Sequence, residues 1–472
     1  MLILIKITKL FVRKKTTKPN LTKPELHTHR KSPLDPLRAA SLADSALKET
    51  QRLIDEFGSR LTGSSSCKKC AIEIDKRINE YCDFSSIQEF NHKGIAYSFW
   101  IKFIPYVYIS SLLLLLFGLP ILSLALNGLF GFYVYREYII YKPLFEKKFK
   151  DTEGINTHGI IEPKGEVKNT ILFSSHHDSA PLLNKNRGDK GYFLNVEAPL
   201  LLFGCSVIMN IVQLFVELIS KRLFHIGFPP LTSIVLLVLL LLATPIVYKI
   251  INFYSKEGSP GAGDNLISSS ILIQLSRYFN WRKAADEGLK NTRLIFASFD
   301  AEEVGLRGSK IWFDKHEALL KNPIQLNFDC IYSSDELVFI DSDLNGLMPL
   351  SKKLAQNCVK LSTSMGYEAK NHPLPFLSGA TDAASGYRAN VEACTLMALN
   401  FGNGIKNSYF HTKNDTVDKI EDKAVEKAIS IAIKLSKSID DGKFNDEGLI
   451  SEEKKDIPDI SEMLKFNKIS RR

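Results

Sequence analysis

The chain has 472 residues, with 61 Lys and Arg against 52 Asp and Glu, a formal net charge of +9 at pH 7. An excess that small and dispersed gives no nucleic-acid-binding signal. The 27 Gly, 19 Pro and 45% hydrophobic residues exclude a collagen-like or wholly disordered chain, and seven irregularly spaced Cys do not make a disulfide scaffold. Residues 1–40 read as a basic, flexible arm. Its apolar start, Met1–Ile5, is too short to cross a bilayer, and no signal-peptide cleavage site follows. From Ser41 to Phe57, Leu42, Leu47, Leu53, Ile54 and Phe57 recur at helical spacing behind Ser41 as N-cap. A Gly/Ser-rich turn over residues 58–64 leads into a second helix ending near Tyr81. These helices belong to a helical part spanning residues 41–98.

Three runs free of Asp, Glu, Lys, Arg and His come next: Phe103–Tyr135, Ala198–Val216 and Ile226–Tyr248. They explain how a mean hydropathy of −0.04 hides long apolar stretches. A bilayer core takes about 20 apolar residues per helix, so the last two runs each fit one span. The first, about 50 Å long as a single helix, is either one overlong span or a hairpin turning near Pro120 or Asn127-Gly128. Four spans are expected, in two hairpins over residues 99–141 and 198–251. Around them lie soluble α/β signals over residues 151–190 and 256–440. Thr170–Ser174, Arg293–Phe299, Gln325–Phe328, Leu337–Ile340 and Ala393–Leu399 read as strands, Asn265–Phe279 and Thr416–Ile439 as helices. Alternating strands and helices indicate an α/β sheet. The tail, residues 441–472, is charged.

Acidic residues and His cluster where these strands end. His176-His177-Asp178 follows one strand, Asp300-Ala301-Glu302-Glu303 another, and Asp329 ends a third. Asp264 opens a helix after a Gly-rich turn, and His411 sits in a polar loop. Functional residues of open α/β sheets gather outside the carboxyl ends of strands. Imidazole with carboxylate is a normal ligand set for catalytic zinc, and two His with three or four carboxylates are too many for one four-coordinate ion. They suit two ions sharing a carboxylate. Of the adjacent Glu302 and Glu303, one can bind metal while its neighbour handles a water proton.

The order HHDS (176–179), GAGDN (261–265), FDAEEVGLRGS (299–309), NFDC (327–330), TDAASG (381–386) and YFHTKNDT (409–416), with FGSRLTGS (57–64) upstream, resembles the M28 family of zinc aminopeptidases, which includes bacterial leucyl-type aminopeptidases. The resemblance covers roughly residues 41–92 and 151–440. Any one motif is weak, but six in order are specific. The resemblance implies a three-layer fold, a mixed β-sheet flanked by helices, with two Zn2+ ions and a peptide substrate. It makes His176, Glu303, Asp329 and His411 terminal metal ligands and Asp264 the bridging carboxylate. Glu302 becomes the general base, and Asp178 the group that orients His176. Asp382 matches a recurrent family Asp without an evident physical role. Two features depart from the family. The Asp178–Asp264 interval is far longer than usual, and Phe410 precedes His411 where some members carry a Tyr, with Tyr409 one residue further back.

Other residues read more blandly. His177 reads as a packing or hydrogen-bonding residue, and His27 and His29 as solvated. Cys67-x-x-Cys70 lacks the second pair a structural zinc site needs, so the Cys are free thiols. Lys147-Lys148-Phe149-Lys150 suits a membrane-flanking cluster. Because His176 and Asp264 must meet, the apolar runs between them have to cross and return. Twelve Lys and Arg flank the spans on the metal-site side, against Lys221 and Arg222 opposite, which places that domain in the cytoplasm. The expectation is a multi-pass, bilayer-anchored zinc exopeptidase, an aminopeptidase, with no oligomeric state readable. The alternatives on this fold are a glutaminyl-cyclase-like acyltransferase and an inactive membrane scaffold.

Overall fold

The structure, a computed structural model, describes residues 13–14, 36–183, 193–220, 227–399 and 409–444. Most of the arm, with His27 and His29, and most of the tail lie outside the described residues, as do Lys185, Arg187, Lys190, Lys221 and Arg222. The chain forms two compact units. One comprises residues 1–92, 151–180 and 258–472, the other residues 93–150 and 181–257.

The first unit is built on a ten-stranded mixed sheet. Its strands are β1 (Arg13–Lys14), β2 (Phe84–His92), β3 (Thr152–Ile161), β4 (Asn169–His176), β5 (Thr292–Phe299), β6 (Pro323–Ile331), β7 (Leu337–Asp343), β8 (Met348–Pro349), β9 (Lys370–Pro373) and β10 (Glu392–Ala398). Their order is β1-β2-β3-β5-β4-β6-β10-β7-β8, with β9 paired to β7. β5, β4, β6 and β10 run parallel, and β3 and β7 flank them antiparallel. The central strands are apolar runs such as LIFASF because parallel strands are covered on both faces. Successive side chains on β5 show those two faces. Ser298 Oγ lies 2.8 Å from Ser269 Oγ of the helix over one face. Phe299 packs on Trp312 over the other, with ring centroids 5.8 Å apart.

Helices α1 (Pro36–Phe57), α2 (Ser65–Asn79), α3 (Ile267–Ala284) and α7 (Asp422–Asp440) pack together over the first face. α4 (Arg307–His316) and α6 (Ala383–Arg388) pack together over the second, and α5 (Lys352–Ser364) packs on β7 and β10. Ile160, Leu172, Ile295, Ala297, Phe299, Trp312, Phe313 and Val391 form one buried cluster. A mixed sheet flanked by helices is thus observed. The sequence reading missed β2, β3 and α4–α6.

In the second unit, the helices Ile95–Leu116 and Phe193–Ile219 are long and apolar enough to cross a membrane. Among the described residues a third span is present only if Leu231–Leu242 and Thr244–Asn252, bent by 41°, count as one. Two or three such helices are thus found where four spans were expected. The run 103–135 breaks at Gly118, whose φ of +74° suits glycine, and the helix Pro120–Val134 that follows continues as a π turn through Ile139, where Arg136 and Glu137 dilute its apolar character. The turn therefore falls at Gly118–Pro120, and Asn127-Gly128 lies inside a helix. Tyr108, Leu112, Leu115 and Leu237 are among the residues that pack inside this unit. Leu129, Ile208, Ile219, Leu231 and Leu242 are 62–80% exposed.

Trp312 is fully buried and its Nε1 donates to His158 Nδ1 at 3.2 Å. Trp312→Ala is expected to destabilise the sheet unit by about 3–5 kcal/mol, read as a shift in the denaturation midpoint. An unchanged midpoint would contradict this packing.

Candidate metal centre

The candidate residues sit at the carboxyl ends of β4, β5 and β6 and in two loops beside them. His176 is the last residue of β4 and Asp329 lies near the end of β6. After β5 the chain turns at Ala301, whose φ is +60°, and presents Glu302 and Glu303. Asp264 stands in the tight turn Ala262–Leu266 that opens α3. Two glycines allow this turn. A Cβ on Gly261, where φ is +60°, would come within 2.8 Å of Asp264 O, and one on Gly263 would meet the Tyr332 ring at 2.1 Å.

His176, Asp264 and Asp329 offer three donor atoms within 4.8 Å of one another, and so do Asp264, Glu303 and His411. The two sets share Asp264. Its Oδ1 lies 3.4 Å from His176 Nε2, and its Oδ2 3.1 Å from His411 Nε2. Glu303 Oε2 is 3.3 Å from His411 Nε2. Glu302 lies at the edge, its Oε2 3.8 Å from His176 Nε2, and joins His176 and Glu303 in a further three-donor group.

Burial makes this crowd of charge expensive. It drives the Glu302 carboxyl well above its ordinary range, a push that Glu303, Asp382 and Asp329 add to and His176 opposes. Burial also raises Glu303, and takes Asp329 up to about 8 against the pull of His176. Burial opposes protonation of His411, yet Glu303 and Asp264 carry it up to about 10. The same contest raises His176, with burial outweighed by Glu302, Asp178 and Asp264. Asp264 goes the other way: hydrogen bonds from His176 and His411 overcome its burial and lower it. Glu303 Oε1 is buried without a hydrogen bond. An acceptor oxygen left free in a buried anionic cluster fits a site for divalent cations.

The surrounding residues fix these groups. Asp178 accepts from Thr62 Oγ1 at 2.8 Å and from the amides of Glu302 and Glu303 at 3.3 and 3.2 Å. Its Oδ1 lies 3.3 Å from His176 Nδ1. One carboxylate therefore orients the imidazole and the Glu302-Glu303 turn together. Asp415 accepts from the amides of Gly263 and Asp264 at 2.8 and 3.3 Å, and Asn265 Nδ2 donates to Phe328 O at 2.8 Å. Asp300 accepts from the amides of Ala301 and Ile155 and from the Cys67 thiol at 3.3 Å. Burial pushes Asp300 to about 7 and the Cys67 thiol well up. His177 is fully buried, its Nδ1 2.9 Å from Ser298 Oγ. Asp382 is fully buried, and burial raises it to about 7. Phe410 stacks on His411 at 3.7 Å, while Tyr409 is half exposed. In sequence, Thr62, Asp300 and Asp415 are marked only by their positions within FGSRLTGS, FDAEE and YFHTKNDT.

The sequence model for "Peptidase family M28" matches residues 251–436, a segment that holds Asp264, Glu302, Glu303, Asp329 and His411 but not His176 or Asp178. Aminopeptidase YwaD of Bacillus subtilis (strain 168) is 23% identical over 191 residues, 39% of this chain. The match spans 38% of that relative's length. Part of the chain is thus similar to M28 peptidases and to that aminopeptidase. Among solved structures, Tannerella forsythia glutaminyl cyclase aligns over 83% of this chain and 97% of its own, at 12% identity and a TM-score of 0.50. The zinc aminopeptidase BSAP of Bacillus subtilis aligns over 84% and 94%, at 12% identity and a TM-score of 0.48. At such identities the T. forsythia likeness is one of fold.

If Asp178 orients His176, loosening it should weaken the metal. We expect Thr62→Val to lower divalent-metal affinity by about 10–100-fold, measured by chelator competition. Wild-type affinity would disconnect Thr62 from the centre.

Proposed function

We propose that the chain is a membrane-anchored zinc exopeptidase of the aminopeptidase type. The observation that carries this reading is the pair of three-donor sets sharing Asp264. His176, Asp264 and Asp329 would hold one zinc, and Asp264, Glu303 and His411 a second, with Asp178 orienting His176. When bound, zinc supplies Lewis acidity, polarising a peptide carbonyl and lowering the pKa of water.

The chain's own part in the reaction is proton handling and order. Glu302 sits beside both donor sets and binds neither in this assignment. Its carboxylate takes a proton from the attacking water as the oxygen bonds to the carbonyl carbon. It returns that proton to the leaving nitrogen as the carbon–nitrogen bond breaks. Burial of the surrounding carboxylates keeps bulk water away from that exchange. The apolar helices and their exposed Leu, Ile and Phe side chains support a bilayer anchor, and the Lys and Arg excess beside the runs supports a cytoplasmic metal site.

Glu302→Gln is expected to keep its zinc by elemental analysis while losing at least 1,000-fold in turnover of amino-acid amides, about 4 kcal/mol of barrier. Wild-type turnover would remove the assigned base. His176→Ala is expected to bind less zinc, and unchanged stoichiometry would contradict the ligand assignment. The same purified protein, offered a peptide with N-terminal Gln, separates hydrolysis from cyclisation. Release of the next residue supports the peptidase, whereas ammonia release without peptide-bond cleavage favours a glutaminyl-cyclase-like acyl transfer. In native membranes the chain is expected to stay in the pellet after alkaline carbonate extraction. Release into the supernatant would refute the anchor.

A further inference from the structure

The insertion 181–257 leaves the sheet unit between the segment bearing His176 and the segment bearing Asp264. Two groups that must meet at one metal bridge are thus separated by an excursion of 77 residues. How the roots of that excursion are tied therefore decides whether the two groups stand close before metal arrives. The roots of the excursion are fastened to each other, since Ser259 N donates to Ala180 O at 2.8 Å.

Arg60 lies across both roots. Its side chain is fully buried. On one root, Nε donates to His177 O at 2.8 Å. On the other, Nη1 donates to Pro260 O at 2.9 Å and Nη2 to Gly261 O at 3.0 Å, while Nη1 also reaches Gly58 O at 2.7 Å. The main chain adds two bonds to the first root: Arg60 N donates to Ser179 Oγ at 2.9 Å, and Ser179 N donates to Arg60 O at 3.0 Å. Nearest the centre, these bonds end on His177, one step after His176, and on Gly261, three before Asp264. The planar, five-donor guanidinium can reach carbonyls on both sides at once, which a lysine point charge cannot reproduce. A full charge in the interior without a hydrogen-bonded carboxylate is tolerated only where its donors are met, as they are here.

We propose that Arg60 is a positioning residue for metal loading. It locks the roots of the 181–257 insertion so that His176 and Asp264 stand at bridging distance before zinc binds. The proposal rests on the zinc-peptidase reading and concerns how its centre is assembled.

The test uses the full chain in detergent, with zinc itself as the probe and chelator competition for Kd. Arg60→Met is expected to weaken zinc binding at least ten-fold. At saturating zinc, kcat for an amino-acid amide should recover to within about three-fold of wild type, with KM unchanged. Arg60→Lys should fall between the two, and it carries the test alone if Arg60→Met does not fold. A wild-type zinc Kd in the folded variant overturns the proposal, as does a loss of turnover that excess zinc does not restore. His176→Ala separates the two levels of inference. If it loses zinc while the Arg60 variants bind normally, only the clamp is wrong. If it too binds zinc normally, the metal centre itself is misassigned.

Discussion

Asp264 sits between two imidazoles, His176 on one oxygen and His411 on the other, with Glu302, Glu303 and Asp329 close by. Water is nearly excluded there, and the charges differ in sign and crowd together. Burial itself raises Glu302, Glu303 and Asp329, and repulsion among the carboxylates adds to it, while both imidazoles are drawn toward protonation. The rest of the sheet unit has to hold this cluster together against that repulsion. It does so through main-chain bonds: Asp178 takes the amides of Glu302 and Glu303, and Asp415 takes those of Gly263 and Asp264. An anion held by backbone amides keeps its place whether or not the neighbouring carboxylates carry protons.

The sheet's topology explains where the chain can be lengthened without disturbing this. β3 runs antiparallel to β5, with Thr157 opposite Ser298 and Ile161 opposite Leu294. The start of β3 therefore lies toward the carboxyl end of the central strands. The first insertion, residues 93–150, replaces the turn between His92 and Thr152, which are paired in register. The second leaves just after β4. Both excursions thus begin and end at the edge of the sheet that carries the candidate centre. A helix added at the opposite edge would leave the loops of the candidate centre untouched. One added here makes their spacing depend on how its roots are tied.

The apolar central strands were legible because TILFS and RLIFASF are continuous hydrophobic runs, and the acidic and imidazole residues stand out at their ends. β3 was not legible. Its sequence, TEGINTHGII, buries Asn156, Thr157 and His158, whose polar atoms are met by Gln88, Asp75 and Trp312 from distant segments. Polarity that reads as a loop in one dimension is satisfied core in three. α5 does carry a local signal: Ser351 accepts from Leu354 N as an N-cap, and Leu354, Ala355 and Cys358 are buried at helical spacing. The span count was not legible for another reason. An uncharged run fixes composition, and the turn at Gly118–Pro120 falls near one of the two expected places, but the helix after it runs on into Arg136 and Glu137. The supporting contacts around the centre were beyond reach in principle. Thr62 meets Asp178 across 116 residues, Asp415 meets Asp264 across 151, and Arg60 meets Gly261 across 201.

The two imidazoles of the centre are steadied by unlike means, and this bears on the Phe410 departure. His176 ends a buried strand and has Asp178 behind its Nδ1, so a carboxylate sets the ring's orientation and raises its basicity. His411 stands in a loop with φ at +54°. A parallel Phe410 ring at 3.7 Å and 17° lies against it instead. An aromatic plate restricts rotation of the imidazole but withdraws no proton and offers no hydrogen bond. Phe410 therefore fixes the plane of His411 without being able to support a developing oxyanion. Tyr409 has the hydroxyl for that task, but it is half exposed, with Lys419 Nζ 5.5 Å from its ring centroid. If charge on a substrate oxygen is stabilised at this centre, the work falls to the cations and to groups on the strand ends rather than to the residue before His411.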